Sequence, residues 1–111
     1  MKKIKYFAAL DNGTREERRG YLFDIVERSN GWRALSACDP SSKPSSGAAF
    51  RVCVSEIGGV WVPTEQTTGY ALPPYSARTM IGALHVVCVF APDIVRALES
   101  KRRADNREVI S

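Results

Sequence analysis

Apolar and polar residues alternate over short stretches in the first part of the chain, a pattern that is typical of half-buried β-strands. The first such stretch is residues 3–10, one side of which carries Ile4, Tyr6, Ala8 and Leu10. The segment that follows, residues 11–20, is polar and highly charged. Thr14 and Glu17 have the spacing of a capping box, so a single helical turn is one interpretation. An exposed loop is the prediction for this segment.

The clearest turn signal is Asn30-Gly31, which lies between two alternating stretches. Both residues tolerate the positive φ of a type I′ turn, so a tight hairpin is predicted here. The flanking strands are predicted at residues 21–28 and 32–37. A two-residue loop then places Arg28 directly opposite Arg33.

Gly58-Gly59 is a second turn signal and predicts a second hairpin. Its flanking strands are predicted at residues 50–55 and 60–62. The predicted pairs are Ile57 with Val60, Glu56 with Trp61 and Ser55 with Val62. Pro63 has no N–H to donate to a neighbouring strand, so the last strand is predicted at a sheet edge. Exposed connections are predicted at residues 38–47 and 64–75.

The longest apolar concentration lies in residues 76–103, and its first half fits two elements. A helix over residues 77–90, with Ser76 as N-cap, would place six residues on one stripe. These residues are Met80, Ile81, Leu84, Val87, Cys88 and Ala91. A buried strand over residues 84–90 is the alternative, because this run is rich in β-branched residues and lies between Gly82 and Pro92. The stripe favours the helix.

A second helix is predicted from Pro92 to about Ala104. Proline suits the first helical turn, and Asp93 lies at the positive end of the helix dipole. The apolar stripe is Ile94, Val95 and Leu98, and the basic end is Lys101, Arg102 and Arg103. The polar segment 105–111 is expected to be a frayed tail.

These elements predict an α+β fold. A mainly antiparallel sheet of about five short strands, with two tight hairpins, would be covered on one face by one or two C-terminal helices. A chain of 111 residues with 44% hydrophobic content fits one compact domain, covering residues 1–111.

Cysteine usage and apolar run lengths predict a cytoplasmic protein with no membrane partner. No run reaches the roughly 18 uninterrupted apolar residues of a membrane span, and Lys5 and Asp11 interrupt any signal-like opening. The three cysteines, Cys38, Cys53 and Cys88, are odd in number and have no CxxC spacing. Buried, reduced thiols are therefore expected.

Protein contact is the first candidate activity. Arg28 opposite Arg33 would be an unfavourable pair unless an anion or a partner compensates, although two solvated side chains that splay apart explain it as well. Trp32 could serve as an anchor beside them. Trp61, on the predicted edge strand, could recruit another strand or a second copy of the chain to form a homodimer, but a strand tryptophan is more often core.

Nucleic-acid binding is the second candidate. The net charge is +4 and the sequence pI is about 9.2, a mild excess that permits an anionic partner. The candidate contacts are Lys3, Lys5, Arg18, Arg19, Arg102 and Arg103, with Tyr6, Phe7, Tyr21 and Phe23 as aromatic neighbours. Nearby carboxylates dilute each group, so ordinary surface charge is the competing explanation.

Enzymatic chemistry is the third candidate, and no motif supports it. His85 is the single histidine, without a second ligand at metal spacing, so a structural role is expected and neither metal nor cofactor is predicted. A Cys88 or Cys53 nucleophile served by His85 would need an exposed, activated thiol. The sequence therefore predicts a small non-enzymatic binding protein, a regulatory or inhibitory accessory factor of the kind found in phages and other mobile elements.

Overall fold

The computed structural model describes residues 3–9, 13–37, 41–66 and 72–110; the side chains of residues 73, 102 and 104–110 lie outside the description. The strands are β1 Ile4–Ala9, β2 Arg15–Arg28, β3 Gly31–Ser36, β4 Ala48–Ile57 and β5 Val60–Glu65. A 3-10 turn, Pro73–Tyr75, precedes the helices α1 Met80–Val89 and α2 Ala91–Ile110. Leu10 and Cys38, which the sequence placed in the first strand and in a loop, fall outside the described residues.

The strands form one antiparallel sheet in the order β1-β2-β4-β5, and β3 pairs with β2. The two C-terminal helices pack on this sheet. The predicted α+β class is confirmed, and so is the choice of a helix over a strand for residues 84–90.

The prediction of a loop, or of a helical turn, over residues 11–20 is wrong for its described second half. Residues 15–20 are the first half of β2, a strand of 14 residues, and they pair with β1. The sequence hides this strand because Glu17 and Arg19 face water, and Arg18, on the inner side, is itself charged. These residues have no apolar alternation of their own, and their pairing with the half-apolar β1 stabilises them as a strand.

The first hairpin forms with a different register from the predicted one. Arg28 pairs with Gly31, and Arg33 pairs with Val26, so the two arginines are not directly opposite. The loop is Ser29-Asn30, and only Gly31, with φ of 118°, takes up a positive φ there. A shift of two residues keeps every side chain on its predicted face, so the apolar pattern could not distinguish the two registers.

The second hairpin has the predicted register. Ile57 pairs with Val60, Glu56 with Trp61 and Ser55 with Val62. Gly58 and Gly59 both have positive φ, at 58° and 82°, as a type I′ turn requires.

Strand β5 lies at the end of the sheet order, as Pro63 predicted, but its outer edge is occupied. The Trp61 N–H donates to the Ala77 carbonyl at 2.7 Å, and the Ala77 N–H donates back at 3.1 Å. The Leu72 N–H donates to the Pro63 carbonyl at 2.8 Å. The edge that Trp61 was expected to offer to another strand is therefore already paired at Trp61.

The sheet is covered on both faces. On one face, which we call the helix face, Phe23, Ile25, Val52 and Val54 pack against Ala83 and Val87 of α1 and Ala91 and Ile94 of α2. On the other, the ribbon face, Ile4, Tyr6 and Ala8 of β1 pack over Leu22 and Cys53. The pairing of β1 with residues 15–20 forms a two-stranded unit, the β1–β2 ribbon, that folds across this second face.

Gly20 is the point in β2 where the ribbon meets the sheet. A Cβ atom at this residue would lie 2.3 Å from the Val54 carbonyl oxygen and 2.8 Å from Ser55 Oγ. Only glycine allows the two backbones to approach so closely.

The helices begin and end differently from the predictions. Thr79, not Ser76, is the N-cap of α1, and its hydroxyl accepts a hydrogen bond from the Gly82 N–H. Val87 of the predicted stripe is buried, and Met80 and Leu84 pack against the core, but Ile81 is exposed and Ala83, outside the predicted stripe, is buried. Helix α2 continues to Ile110 and does not end near Ala104.

Candidate interaction surfaces

The outward side of α1 is an apolar surface that the rest of the described structure leaves uncovered. Ile81 is 77% exposed, Val89 is 57% exposed, and Phe90, the C-cap residue, is 44% exposed. The helix MIGALHVVCV has only one strongly polar side chain, His85, and that side chain is exposed among these apolar neighbours. A helix that is apolar on all sides is usually buried on all sides. The outer side of α1 is exposed instead, and an exposed apolar surface of this kind is typical of an interaction site.

The two tryptophans are packed partly into the protein. Both are half-buried against the core cluster of the helix face. Trp61 also stacks on Tyr21, with ring centroids 6.2 Å apart. The sequence-derived contact surface of Trp32 with Trp61 therefore does not present two free aromatic side chains.

The two hairpin arginines turn to backbone carbonyls. Arg28 Nη1 donates to the Ser46 carbonyl at 2.6 Å. Arg33 donates from Nη1 to the Trp32 carbonyl at 2.9 Å and from Nη2 to the Asn30 carbonyl at 3.4 Å. These contacts, and the shifted register, remove the unfavourable pair on which the anion-binding hypothesis rested.

Strand β3 has one edge that no described strand pairs. The Ala37 N–H donates to the Leu22 carbonyl at 2.9 Å. Because hydrogen-bonded and non-hydrogen-bonded pairs alternate along an antiparallel ladder, this bond determines which residues of β3 bind β2. By this alternation the main-chain groups of Trp32, Ala34 and Ser36 point away from β2. The Arg33 guanidinium lies over the first of these, because it binds the Trp32 carbonyl.

The sequence-derived basic residues separate into three places. Lys3, Lys5 and Arg19 are exposed on the outer side of the β1–β2 ribbon. Arg18 points to the inner side, where its side chain is 13% exposed and Nη2 binds Glu16. Arg103 is exposed on α2, an element separate from the ribbon. The side chain of Arg102 lies outside the description.

Among the side chains that the structure describes, several of these cations come together on the outer face of the ribbon. Its members are Lys3, Lys5, Phe7, Arg15, Glu17 and Arg19, all exposed. Lys5 pairs across the ribbon with Arg19, and Phe7 pairs with Glu17. Arg15 belongs to the same basic group of the sequence as Arg18 and Arg19, and the pairing of residues 15–20 with β1 places it on the same face as Phe7 and Arg19.

A network of hydrogen bonds on the ribbon face holds the connection 41–47 to the sheet. Arg51 binds the buried Asp24 through Nε at 2.6 Å and Nη2 at 3.2 Å. The backbone N–H and the hydroxyl of Ser45 both donate to Asp24 at 3.0 Å. Burial alone would raise the pKa of Asp24, but the bonds from Arg51 and Ser45 outweigh it and hold the pKa below its ordinary value.

Burial favours the neutral form of both described thiols. Burial raises the pKa of Cys53 to about 12. Burial also raises the pKa of Cys88, and the nearby Arg33 offsets this only in part. His85 is exposed on α1, contrary to the structural role expected for it. Among the residues that the structure describes, no group of three metal-ligating side chains is close enough to hold a metal ion.

No protein-family model matches the chain, and no curated protein or solved structure matches it. Within the described part of the chain, no single helix has the length and apolar character to cross a membrane; α1 and the first part of α2 meet those limits only when joined, across a bend of 71°.

Proposed function

We propose that this chain is a non-enzymatic binding protein, a regulatory or inhibitory accessory factor, and that α1 provides its contact surface to a protein partner. The observation that carries the proposal is the exposure of Ile81 and Val89 on a helix whose opposite side is locked into the core by Ala83 and Val87.

The position of these side chains suits recognition. Because α1 is anchored by its buried stripe, its outer side chains are held in a fixed arrangement before a partner arrives, which lowers the entropy cost of binding. Apolar side chains that a partner covers completely leave water and so contribute favourably to the free energy of binding. The partner is expected to present an apolar groove or helix of its own.

The test places a photoreactive amino acid at position 81 and, as a control, at position 57. Ile57 is also an exposed apolar residue, at 42%, but it lies at the Gly58-Gly59 hairpin. Cross-linked proteins would be identified by mass spectrometry, purified and titrated against the chain by calorimetry.

We expect position 81 to capture one dominant partner and position 57 to capture none. The double variant Ile81→Asn with Val89→Asn should weaken the purified complex at least tenfold, because two apolar contacts are lost. The matched variant Ile57→Asn with Val60→Asn should bind normally. Equal binding by both variants would contradict the proposal. Capture of a second copy of the chain would identify the partner as the protein itself.

A further inference from the structure

We propose that the outer face of the β1–β2 ribbon binds single-stranded nucleic acid, with its cations contacting phosphates and Phe7 stacking on a base. This surface is separate from α1, and the inference does not depend on the proposed protein contact. It rests on the strand pairing of residues 15–20, which gathers side chains that the sequence leaves in two groups.

Charge is concentrated on this face. It carries four cations, Lys3, Lys5, Arg15 and Arg19, against one carboxylate, Glu17, a formal balance of 4 − 1 = +3 in a chain whose total is +4. Glu17 lies 3.3 Å from Lys5, and both side chains are at least half exposed. Such a solvated pair is weak, so a phosphate can take its place at little cost.

Phe7 lies in the middle of these charges. Its side chain is 53% exposed, although the flanking Tyr6 and Ala8 on the inner side are buried. Phe7 pairs directly with Glu17, so its diagonal neighbours on β2 are Arg15 and Arg19. An exposed ring between two cations is the arrangement on which an unpaired base stacks while its phosphates are neutralised.

The same face continues toward a second aromatic residue. The Lys3 ammonium lies 5.8 Å from the centroid of the Tyr21 ring, which is half-buried. Arg15 and Arg19 are four residues apart on one strand, a separation of about 13 Å. The face therefore offers a track for several successive nucleotides along one pair of strands.

The test is fluorescence anisotropy with a labelled single-stranded oligothymidylate, titrated from 50 to 300 mM salt. The test variant is Lys5→Gln with Arg19→Gln. The control, Lys43→Gln with Arg78→Gln, removes one lysine and one arginine from exposed positions elsewhere. Circular dichroism melting would confirm that both variants fold, since all four side chains are exposed.

We expect the test variant to bind at least tenfold more weakly at 50 mM salt and to lower the slope of log affinity against log salt by about 1.4, because two phosphate contacts are lost. The control should change the slope by less than half that amount. Phe7→Leu, which keeps an apolar side chain without a ring, should weaken binding about tenfold at every salt concentration.

Three results would overturn the inference. The first is no binding by the natural chain at 50 mM salt, and the second is equal weakening by the test and control variants. The third is binding to phosphatidylserine vesicles without binding to the oligonucleotide, which would assign the face to a lipid surface. Equal affinity for a duplex would remove the stacking role of Phe7. The Ile81→Asn variant should bind the oligonucleotide normally, so failure here and failure of the α1 proposal are distinguishable.

Discussion

The two faces of the sheet are held by different kinds of interaction. The helix face is closed by apolar side chains, with Ile25, Val52 and Val87 fully buried between the sheet and α1. The ribbon face combines a smaller apolar cluster with a buried bond between Tyr6 and Ser55 and, farther along, the Asp24–Arg51 pair. Apolar contact tolerates small changes of angle and distance, whereas hydrogen bonds do not. The ribbon face is therefore the more sensitive of the two to single substitutions and to pH.

The ribbon face also carries buried polar atoms that make no hydrogen bond of normal geometry. These atoms include Nε and Nη1 of Arg18 and Oγ1 of Thr64. Each such atom costs free energy relative to a fully paired state. We therefore expect the ribbon to open more readily than the helix face.

The largest effect is expected for Gly20→Ala, because the added methyl group would meet the Val54 carbonyl at 2.3 Å. We predict a loss of about 4 kcal/mol in the free energy of unfolding, measured by urea denaturation. The control, Gly58→Ala, has open space around the new Cβ and should cost only the strain of its left-handed backbone, about 1 kcal/mol. Equal losses for the two variants would mean that the ribbon and sheet do not approach each other as described.

A smaller effect, with a distinct pH dependence, is expected for Asp24→Asn. The variant loses the charge that Arg51 binds, which should lower the free energy of unfolding by about 2 kcal/mol at pH 7. Because the folded pKa of Asp24 lies below its unfolded value, its contribution is fully present above about pH 4 and is lost as the pH falls further. The difference between the natural chain and the variant should therefore shrink between pH 4 and pH 2. A difference that stays constant over this range would contradict the assignment.

The smallest effect is expected for Tyr6→Phe, which removes one hydroxyl and leaves Ser55 without this partner. We predict a loss of about 1 kcal/mol, since a buried hydrogen bond between neutral groups is worth roughly that amount. In a double-mutant cycle, Tyr6→Phe with Ser55→Ala should cost less than the sum of the single variants. Additive losses would show that the two hydroxyls act independently. Tyr75→Phe, at a half-exposed tyrosine, is the matched control and should change stability by less than about 0.5 kcal/mol.

Sequence patterns predicted the elements that have a local cause. The Gly58-Gly59 hairpin was predicted to the residue because both glycines take the positive φ that one turn type demands. The Asn30-Gly31 hairpin was predicted in place but not in register, because two registers that differ by two residues bury the same face. The local sequence therefore identifies a turn, whereas contacts across the sheet determine the register of the two strands.

What could not be predicted depends on distant contacts. Residues 15–20 form a strand only because β1 lies beside them, and their own composition is that of a loop. Ile81 was assigned to the buried stripe because a helix that is apolar on all sides has no single stripe to read. The same ambiguity hid the α1 surface. For the ribbon, the sequence named Lys3, Lys5, Arg19 and the neighbouring Phe7 as candidate contacts, but only the pairing of residues 15–20 with β1 places them on one face.

Arg33 gives the open edge of β3 a form of protection against self-association. A neighbouring molecule that tried to extend the sheet here would have to displace the guanidinium from the Trp32 and Asn30 carbonyls and strip water from a cation. This single side chain therefore opposes edge-to-edge strand pairing between molecules at Trp32. The exposed apolar side of α1 and the open edge of β3 thus differ in kind, because the helix offers bare apolar side chains whereas a cation guards the backbone of the strand.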